Sequence, residues 1–125
     1  MILLDTSVFI DYFRKTVKEK TLLHQLLSAN EPCSISVISH FEILIGNNPL
    51  QNSFWEVMLD NISIIDYKIE LNEPAIQIQH TLKKINKKIP FQDLIIGATA
   101  NHYNYKLATL NKKHFINIPE IIFAT

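Results

Sequence analysis

The sequence predicts an α/β protein in which a central, mainly parallel sheet is covered by helices. Two observations indicate this fold class. Short β-branched runs alternate with longer amphipathic stretches, and hydrophobic residues make up 47% of the 125 residues, with 20 isoleucines among them. Such alternation is typical of parallel sheets, because each parallel connection crosses the sheet. The length, without a Pro/Gly-rich linker or an internal repeat, predicts a single domain over residues 1–125.

In the first half of the chain, short apolar runs predict strands, and apolar side chains three or four positions apart predict helices. Leu23 and Leu27 show this helical spacing. Pro32 and Pro49 interrupt the chain, since proline does not continue a helix. In chain order, the predicted elements are a strand at 2–4, helices at 6–13 and 17–28, a strand at 33–36, helices at 39–46 and 50–60, and a strand at 62–65.

The second half of the chain predicts a long amphipathic helix, a more buried helix and a further strand. Pro90 closes the connection between the two helices. In the second helix Leu94, Ile95 and Ala98 face inward, and Gly97 allows close approach to a neighbouring element. In chain order, the predicted elements are helices at 72–86 and 91–101, a strand at 107–110, a helical turn at 111–115 and an edge strand at 121–123.

Composition and charge exclude several function classes. With only Gly46 and Gly97, the chain has neither the phosphate-binding loop of nucleotide triphosphatases nor the dinucleotide-binding turn. The net charge is zero, but residues 1–82 carry five basic and ten acidic side chains, whereas residues 83–118 carry seven lysines and one aspartate. This asymmetry permits a local attraction for phosphates. The lysines at 83, 84, 87 and 88 are equally explained as a solvated face.

Cysteine usage and hydropathy predict a protein of the cytoplasm. Cys33 stands alone, so no internal disulfide forms, and a secreted fold held by disulfides is disfavoured. The apolar start of the chain is too short for a signal peptide, because Asp5 interrupts it after four residues. No later apolar run approaches the roughly 20 residues of a membrane span.

Polar residues follow the predicted strands or begin the helices after them at four points. Asp5 follows the first strand, Glu42 comes soon after Ser39, Asp93 follows Pro90, and Asn111 follows the strand at 107–110. Open α/β sheets bind ligands at the carboxyl ends of their strands, so we expect these side chains to meet at one rim. Each of these residues also has a purely structural explanation. Asp5 and Asn111 could be helix N-caps, and Glu42 could form a capping box with Ser39. Asp93 could interact favourably with the dipole at the start of its helix.

Three carboxylates gathered among apolar runs would take up protons unless a cation neutralised them, so their convergence predicts a metal site. All the donors are oxygens, which favours Mg²⁺, or Mn²⁺, over zinc. Such an ion activates water and stabilises a leaving oxygen, which is chemistry suited to phosphodiester hydrolysis. The histidines show no metal-binding spacing, and surface or packing roles are expected for them: His24, His40, His80, His102 and His114.

Four sequence blocks in order resemble the PIN-domain family, and their spacing resembles the VapC-type toxins of bacterial toxin–antitoxin pairs. The blocks are LLDTSVFI at 3–10, ISHFEILIG at 38–46, IPFQDLIIGA at 89–98 and LATLNKKHF at 107–115. The resemblance covers essentially the whole chain. It implies a three-layer α/β/α fold and a Mg²⁺-dependent endoribonuclease. It also implies a dimer that is neutralised by a VapB-like antitoxin whose tail occupies the active site.

The resemblance also implies residue roles. Asp5, Glu42 and Asp93 match the family's acidic metal-site positions, and all three would act in catalysis with Asn111. Many members have a fourth acid where this chain has Asn111, so binding of a second cation is in doubt, although an amide oxygen can still act as a ligand. The side chains that match the family's hydroxyl positions are Thr6 or Ser7 beside the first aspartate, and Thr109 ahead of the last motif.

Two other functions remain open at this point. One is a receiver-like domain that binds Mg²⁺ and accepts a phosphoryl group, although such domains carry adjacent acids after the first strand and here Asp5 is followed by Thr6. The other is a catalytically inactive binding module on the same fold.

Dimerisation has its own sequence signal. Phe9, Phe13, Trp55 and Met58 add more large apolar groups than one small domain easily buries, and core packing explains them as well.

Overall fold

A four-stranded parallel sheet forms the centre of the molecule, which confirms the predicted central, mainly parallel sheet. This computed structural model describes residues 1–46 and 51–124. The strands are β1 (Ile2–Leu4), β2 (Cys33–Ser36), β3 (Ser63–Ile65) and β4 (Lys106–Ala108), and their order across the sheet is β3-β2-β1-β4. β1 pairs in parallel with both β2 and β4, and β2 pairs in parallel with β3. All strands therefore end at the same edge of the sheet.

Helices follow the strands and cover both faces of the sheet. In the described part of the chain they are α1 (Thr6–Arg14), α2 (Leu22–Ser28), α3 (Val37–Ile45), α4 (Asn52–Leu59), α5 (Asn72–Lys84), α6 (Phe91–Tyr103) and α7 (Lys112–Phe115). Short 3₁₀ helices lie at Lys18–Lys20 and Ile69–Leu71. None of these helices is long and apolar enough to cross a membrane.

Two hydrophobic clusters lie on opposite faces of the sheet, because successive side chains of a strand point to opposite sides. Ile2 and Leu4 of β1 pack into a cluster with side chains of α1, α2, α3 and α4. Leu3, between them in sequence, packs with side chains of α5, α6 and α7. The three residues of β1 are at most 1% exposed. This arrangement is the predicted three-layer α/β/α architecture.

The helix predicted at 17–28 is divided in two. A 3₁₀ helix at Lys18–Lys20 is followed by α2, and Thr21 between them is the N-cap whose hydroxyl accepts a hydrogen bond from the His24 N–H, at 3.3 Å. The periodicity of the leucines identified α2 but could not show the break. The reason is that the backbone at Thr21 is extended, and the spacing of apolar side chains does not encode this.

The predicted start of α3 at Ser39 is wrong. The helix begins at Val37, and Ser36, the last residue of β2, caps it by accepting a hydrogen bond from the Ile38 N–H at 3.1 Å. Ser39 therefore lies inside the helix, fully buried, and the proposed capping box with Glu42 does not exist. Glu42 is placed in the middle of α3 rather than in its first turn.

The edge strand predicted at 121–123 is also wrong. This segment makes one isolated parallel bridge, between Leu107 and Phe123, instead of a strand. Two main-chain hydrogen bonds tie it to β4, from Leu107 N to Ile122 O and from Ala124 N to Leu107 O, both 2.8 Å long. The predicted helix end at Pro49 lies outside the described residues.

Gly97 allows the close approach that the sequence predicts. A Cβ atom at this position would lie 2.6 Å from Cδ1 of Ile118, inside the contact between α6 and the residues after α7. Since Ile118 is 2% exposed and has little room to move, glycine is the residue that fits here.

Core packing accounts for part of the predicted dimer surface. Phe9 and Trp55 are at most 5% exposed, and their ring centroids are 6.1 Å apart. Phe13 packs its ring against Phe54 and Trp55 and is still 37% exposed. Phe9 and Trp55 therefore need no second copy of the chain to be buried, whereas Phe13 stays partly exposed, and the homodimer stays a prediction.

Candidate active site

A cavity of about 270 Å³ lies at the carboxyl edge of the sheet, and we call it the acidic cavity. Its lining includes all four residues that the sequence singles out: Asp5 after β1, Glu42 from α3, Asp93 from α6, and Asn111 ahead of α7. The other lining residues are Thr6, Ser7, Ile10, Pro90, Gln92 and His114. The parallel sheet thus brings together side chains that are far apart in sequence.

Asp5 is the most firmly held of the three acids. It is 4% exposed, and it ends β1 and caps α1, so its Oδ1 accepts a hydrogen bond from the Thr6 N–H at 2.8 Å. Its Oδ2 accepts hydrogen bonds from the hydroxyls of Ser7 and Thr109, both at 2.8 Å. These donors fix the orientation of the carboxylate.

Thr109 and Ser7 join the loop after β4 to the start of α1. The Asn111 N–H donates to the Thr109 hydroxyl at 2.9 Å, and the Leu110 N–H donates to the Ser7 hydroxyl at 3.1 Å. Each hydroxyl therefore accepts from the loop and donates to Asp5. This is the structural basis for the hydroxyl positions that the family resemblance implies. Asn111 itself is exposed, and its side chain makes no N-cap hydrogen bond to α7.

Glu42 reaches the acidic cavity from α3. Its Oε1 accepts a hydrogen bond from the Thr6 hydroxyl at 3.0 Å, which joins Glu42 to the first residue of α1. Burial raises the pKa of the Glu42 carboxyl above its ordinary value, and the charges of Asp5 and Asp93 add to this effect. The hydrogen bond from Thr6 opposes it in part.

Asp93 is paired with His114. The side chain of Asp93 is 15% exposed, and its Oδ2 lies 2.7 Å from Nδ1 of His114. Burial raises the pKa of the Asp93 carboxyl, and the charge of Asp5 raises it further, while the hydrogen bond with His114 lowers it. An ionised carboxylate only accepts hydrogen bonds, so Nδ1 of His114 is the donor when Asp93 is ionised. His114 thereby orients the Asp93 carboxylate.

His114 is the site residue that sequence reasoning missed, since a packing or surface role was expected for it. The available signal was its spacing. His114 comes three residues after Asn111, and α7 places residues three apart on one face of the helix. The His114 N–H donates to the Asn111 carbonyl at 2.9 Å, so this turn carries both side chains to the cavity.

The acidic cavity has the donors for a hard divalent cation. Seven of its ten described lining residues carry a side-chain oxygen, and three of these seven are carboxylates. Burial raises the pKa values of Glu42 and Asp93, and the charges of neighbouring acids raise them further. Within residues 1–46 and 51–124, no three acidic, histidine or cysteine side chains form a group that could hold a metal ion directly. Mg²⁺ retains several water molecules and needs few direct protein ligands, so the donor set fits such an ion, and fits zinc poorly.

The ordinary pKa values are 4.5 for Glu42 and 3.8 for Asp93, and both are raised in the folded protein. We therefore expect these two groups to make the metal-free protein less stable as the pH rises above those ordinary values. In that range the folded state binds more protons than the unfolded state, so the free energy of unfolding falls with pH. In EDTA at pH 7, Glu42→Gln combined with Asp93→Asn should therefore raise Tm by about 2–4 °C, a modest effect because solvent screens both groups. Thermal unfolding measured from pH 3.5 to 7 checks this.

The difference in Tm between the double variant and wild type should disappear at pH 3.5. At pH 7, added Mg²⁺ should make this difference smaller. Glu56→Gln, an exposed change in α4, is the matched control and should leave the pH dependence as it is. A double variant that is less stable than wild type at pH 7 in EDTA would contradict the prediction.

Comparison with known proteins finds likeness over almost the whole chain. A protein-family model described as PIN domain matches residues 2–121. Ribonuclease VapC1 from Methanocaldococcus jannaschii is 35% identical over 120 residues, covering 95% of this chain and 82% of that protein. Ribonuclease VapC from Rickettsia bellii is 30% identical over 128 residues, covering 96% and 92%. In the crystal structure of VapBC2 from Rickettsia felis bound to a DNA fragment from their promoter, one chain matches with a TM-score of 0.86 at 26% identity, covering 98% and 97%.

Proposed function

This chain belongs to the PIN-domain family, and on that premise we propose that it is a metal-dependent endoribonuclease and the toxin of a VapBC-type toxin–antitoxin pair. The observation that carries the proposal is the meeting of Asp5, Glu42 and Asp93 in the acidic cavity, where two of the carboxyls have raised pKa values. Further support comes from two relatives, at 35% and 30% identity, that are named ribonucleases.

Asp5, Glu42 and Asp93 would hold Mg²⁺, or Mn²⁺ in its place, in part through water molecules that the ion retains, and the amide oxygen of Asn111 would complete the set. When bound, such an ion lowers the pKa of an attacking water and stabilises the leaving oxygen of the phosphodiester. With asparagine at 111, the cavity offers three carboxylates rather than four, which favours one ion over two.

The chain's own residues supply orientation. The hydroxyls of Ser7 and Thr109 hold the Asp5 carboxylate, and the Thr6 hydroxyl holds Glu42. The imidazole of His114 holds Asp93. Each acid thus has a hydrogen-bonded partner that fixes it before RNA arrives, and such partners commonly tune metal affinity and activity.

The partner of the proposed toxin is a VapB-like antitoxin in a hetero-oligomer. Support comes from the R. felis VapBC2 structure, a complex whose matched chain is 26% identical over nearly the full length. A homodimer of this chain within that assembly is part of the proposal.

The receiver-like alternative does not fit the family match over residues 2–121. Asp66, the residue after β3, is also not among the residues that line the acidic cavity. A catalytically inactive binding module on the same fold is the competing function, and the cleavage assay below separates it from the nuclease.

Purified protein incubated with fluorescently labelled single-stranded RNA tests the proposed function. We expect cleavage with Mg²⁺ or Mn²⁺, complete inhibition by EDTA, and recovery when excess Mg²⁺ is restored, because the acids alone cannot activate water. Attack by water also predicts products without a 2′,3′-cyclic phosphate. Cleavage that persists in EDTA would contradict metal dependence. A folded protein that binds RNA but cleaves none of a panel of cellular RNAs with either metal would favour the binding module.

A further inference from the structure

We propose that Arg14 and Phe13 form a nucleotide subsite beside the acidic cavity, in which Arg14 binds a phosphate of the RNA strand and Phe13 stacks on a base. The subsite deepens the proposed nuclease function and depends on it. The subsite would hold the part of the RNA next to the cleaved bond. Arg14 and Phe13 would bind substrate without taking part in the chemistry.

The subsite is a second cavity, of about 320 Å³, which we call the adjoining cavity. It shares two lining residues, Ile10 and Glu42, with the acidic cavity. Phe13, Arg14 and Trp55 line it further away. Because the two cavities share these side chains, they are neighbours, and an extended strand bound at the acids would reach the adjoining cavity.

Arg14 is the basic residue available for a ligand at the end of α1. Lys15 pairs with Asp11 at 3.8 Å, and the Lys18 ammonium donates to three main-chain carbonyls at 2.6–2.9 Å, closing the helix. Arg14 is exposed and forms no ion pair within the described part of the chain. Among the described residues that line either cavity, it is the sole lysine or arginine.

The charge pattern favours a phosphate as the ligand of Arg14. The carboxylates of the acidic cavity repel an RNA backbone, so a cation beside them is needed to hold the strand in place. A guanidinium matches a phosphate with two parallel hydrogen bonds. The lysine-rich part of the chain, residues 83–118, contributes no lysine to the described lining of either cavity.

Phe13 supplies the aromatic surface. Phe13 is 37% exposed, and its ring centroid lies 5.7 Å from the ring centroids of Phe54 and Trp55 and 5.7 Å from the Lys18 ammonium, and these contacts hold the ring in place. Single-stranded RNA is commonly bound by an exposed aromatic ring next to a basic side chain, since stacking accepts any base. This pairing favours RNA over an acidic peptide as the occupant of the adjoining cavity.

Fluorescence anisotropy with a labelled single-stranded RNA, in EDTA so that no cleavage occurs, tests the subsite. Arg14→Gln should weaken RNA binding about tenfold and reduce the slope of log K against log salt by about 1. Lys15→Gln, which removes a neighbouring charge that faces Asp11, is the matched control and should change affinity much less. Phe13→Leu should weaken binding about fivefold or more, with little change in the salt slope. Circular dichroism and Tm confirm that each variant is folded.

Unchanged RNA affinity and salt slope in Arg14→Gln would overturn the subsite, as would failure of the wild-type protein to bind the RNA in EDTA. The subsite would also be overturned if Arg14→Gln kept its affinity for RNA but lost affinity for polyglutamate, because the adjoining cavity would then be a peptide-binding site. With Mg²⁺ present, Arg14→Gln should raise KM and leave kcat near the wild-type value. Failure of the nuclease proposal is a separate outcome, because it shows as absence of cleavage in the wild-type protein.

Discussion

Replacing Asp93 with asparagine should reduce RNA cleavage by at least about 100-fold, because even changes to the partners of metal ligands commonly cost 10–100-fold. The variant removes one of the negative charges that would hold the cation and keeps an oxygen that accepts the hydrogen bond from His114. Its Tm in EDTA should equal or exceed that of wild type, since burial disfavours the charged Asp93 carboxyl. Cleavage rates with Mg²⁺, and loss of growth arrest when the variant is expressed, measure the effect.

Asp93 gives a cleaner test than Asp5. The Asp5 carboxylate accepts three hydrogen bonds from α1 and the loop after β4, so its replacement would disturb the fold as well as the chemistry. Asp66→Asn is the matched control, because Asp66 also follows a parallel strand but does not line the acidic cavity. An Asp93→Asn protein that cleaves RNA at the wild-type rate would rule out the proposed metal site.

The sequence predicted the meeting of the acids because parallel strands end at one edge, and this rule needs no knowledge of side-chain packing. Asp5 and Asp93 occupy the predicted positions, directly after β1 and in the first turn of α6. Glu42 arrives at the same cavity by a different local structure. The helix starts at Val37, capped by Ser36, and Glu42 therefore projects from its middle. Glu42 thus reaches the predicted edge of the sheet, although the predicted start of α3 at Ser39 was wrong.

Side-chain pairs within the site were beyond sequence reasoning. The contact of His114 with Asp93 depends on the angle at which the four residues of α7 return over α6. The double role of Thr109, which donates to Asp5 and accepts from Asn111, depends on the loop path after β4. Distances of this kind follow from packing, and no periodicity in the chain encodes them. The family resemblance indicated the Thr109 position but gave no reason for it.

Thr109→Val should lower the free energy of unfolding by about 2–3 kcal/mol, since it removes a hydrogen bond to a buried charge and leaves the Asn111 N–H without its acceptor. The shape of the side chain is kept and Thr109 is 2% exposed, so packing changes little. Chemical denaturation in EDTA measures this loss. RNA cleavage should fall as well, because Asp5 loses one of the donors that orient it.

Two matched variants separate the role of this hydroxyl from that of any buried threonine. Thr109→Ser keeps the hydroxyl and should recover most of the stability. Thr99→Val removes a hydroxyl that is 1% exposed and donates to the Ile95 carbonyl within α6, at 2.8 Å. That bond joins neutral groups, so its loss should cost about 1 kcal/mol or less and leave cleavage unchanged. Equal losses of stability in the two valine variants would mean that the Thr109 hydroxyl gains nothing from the charge of Asp5.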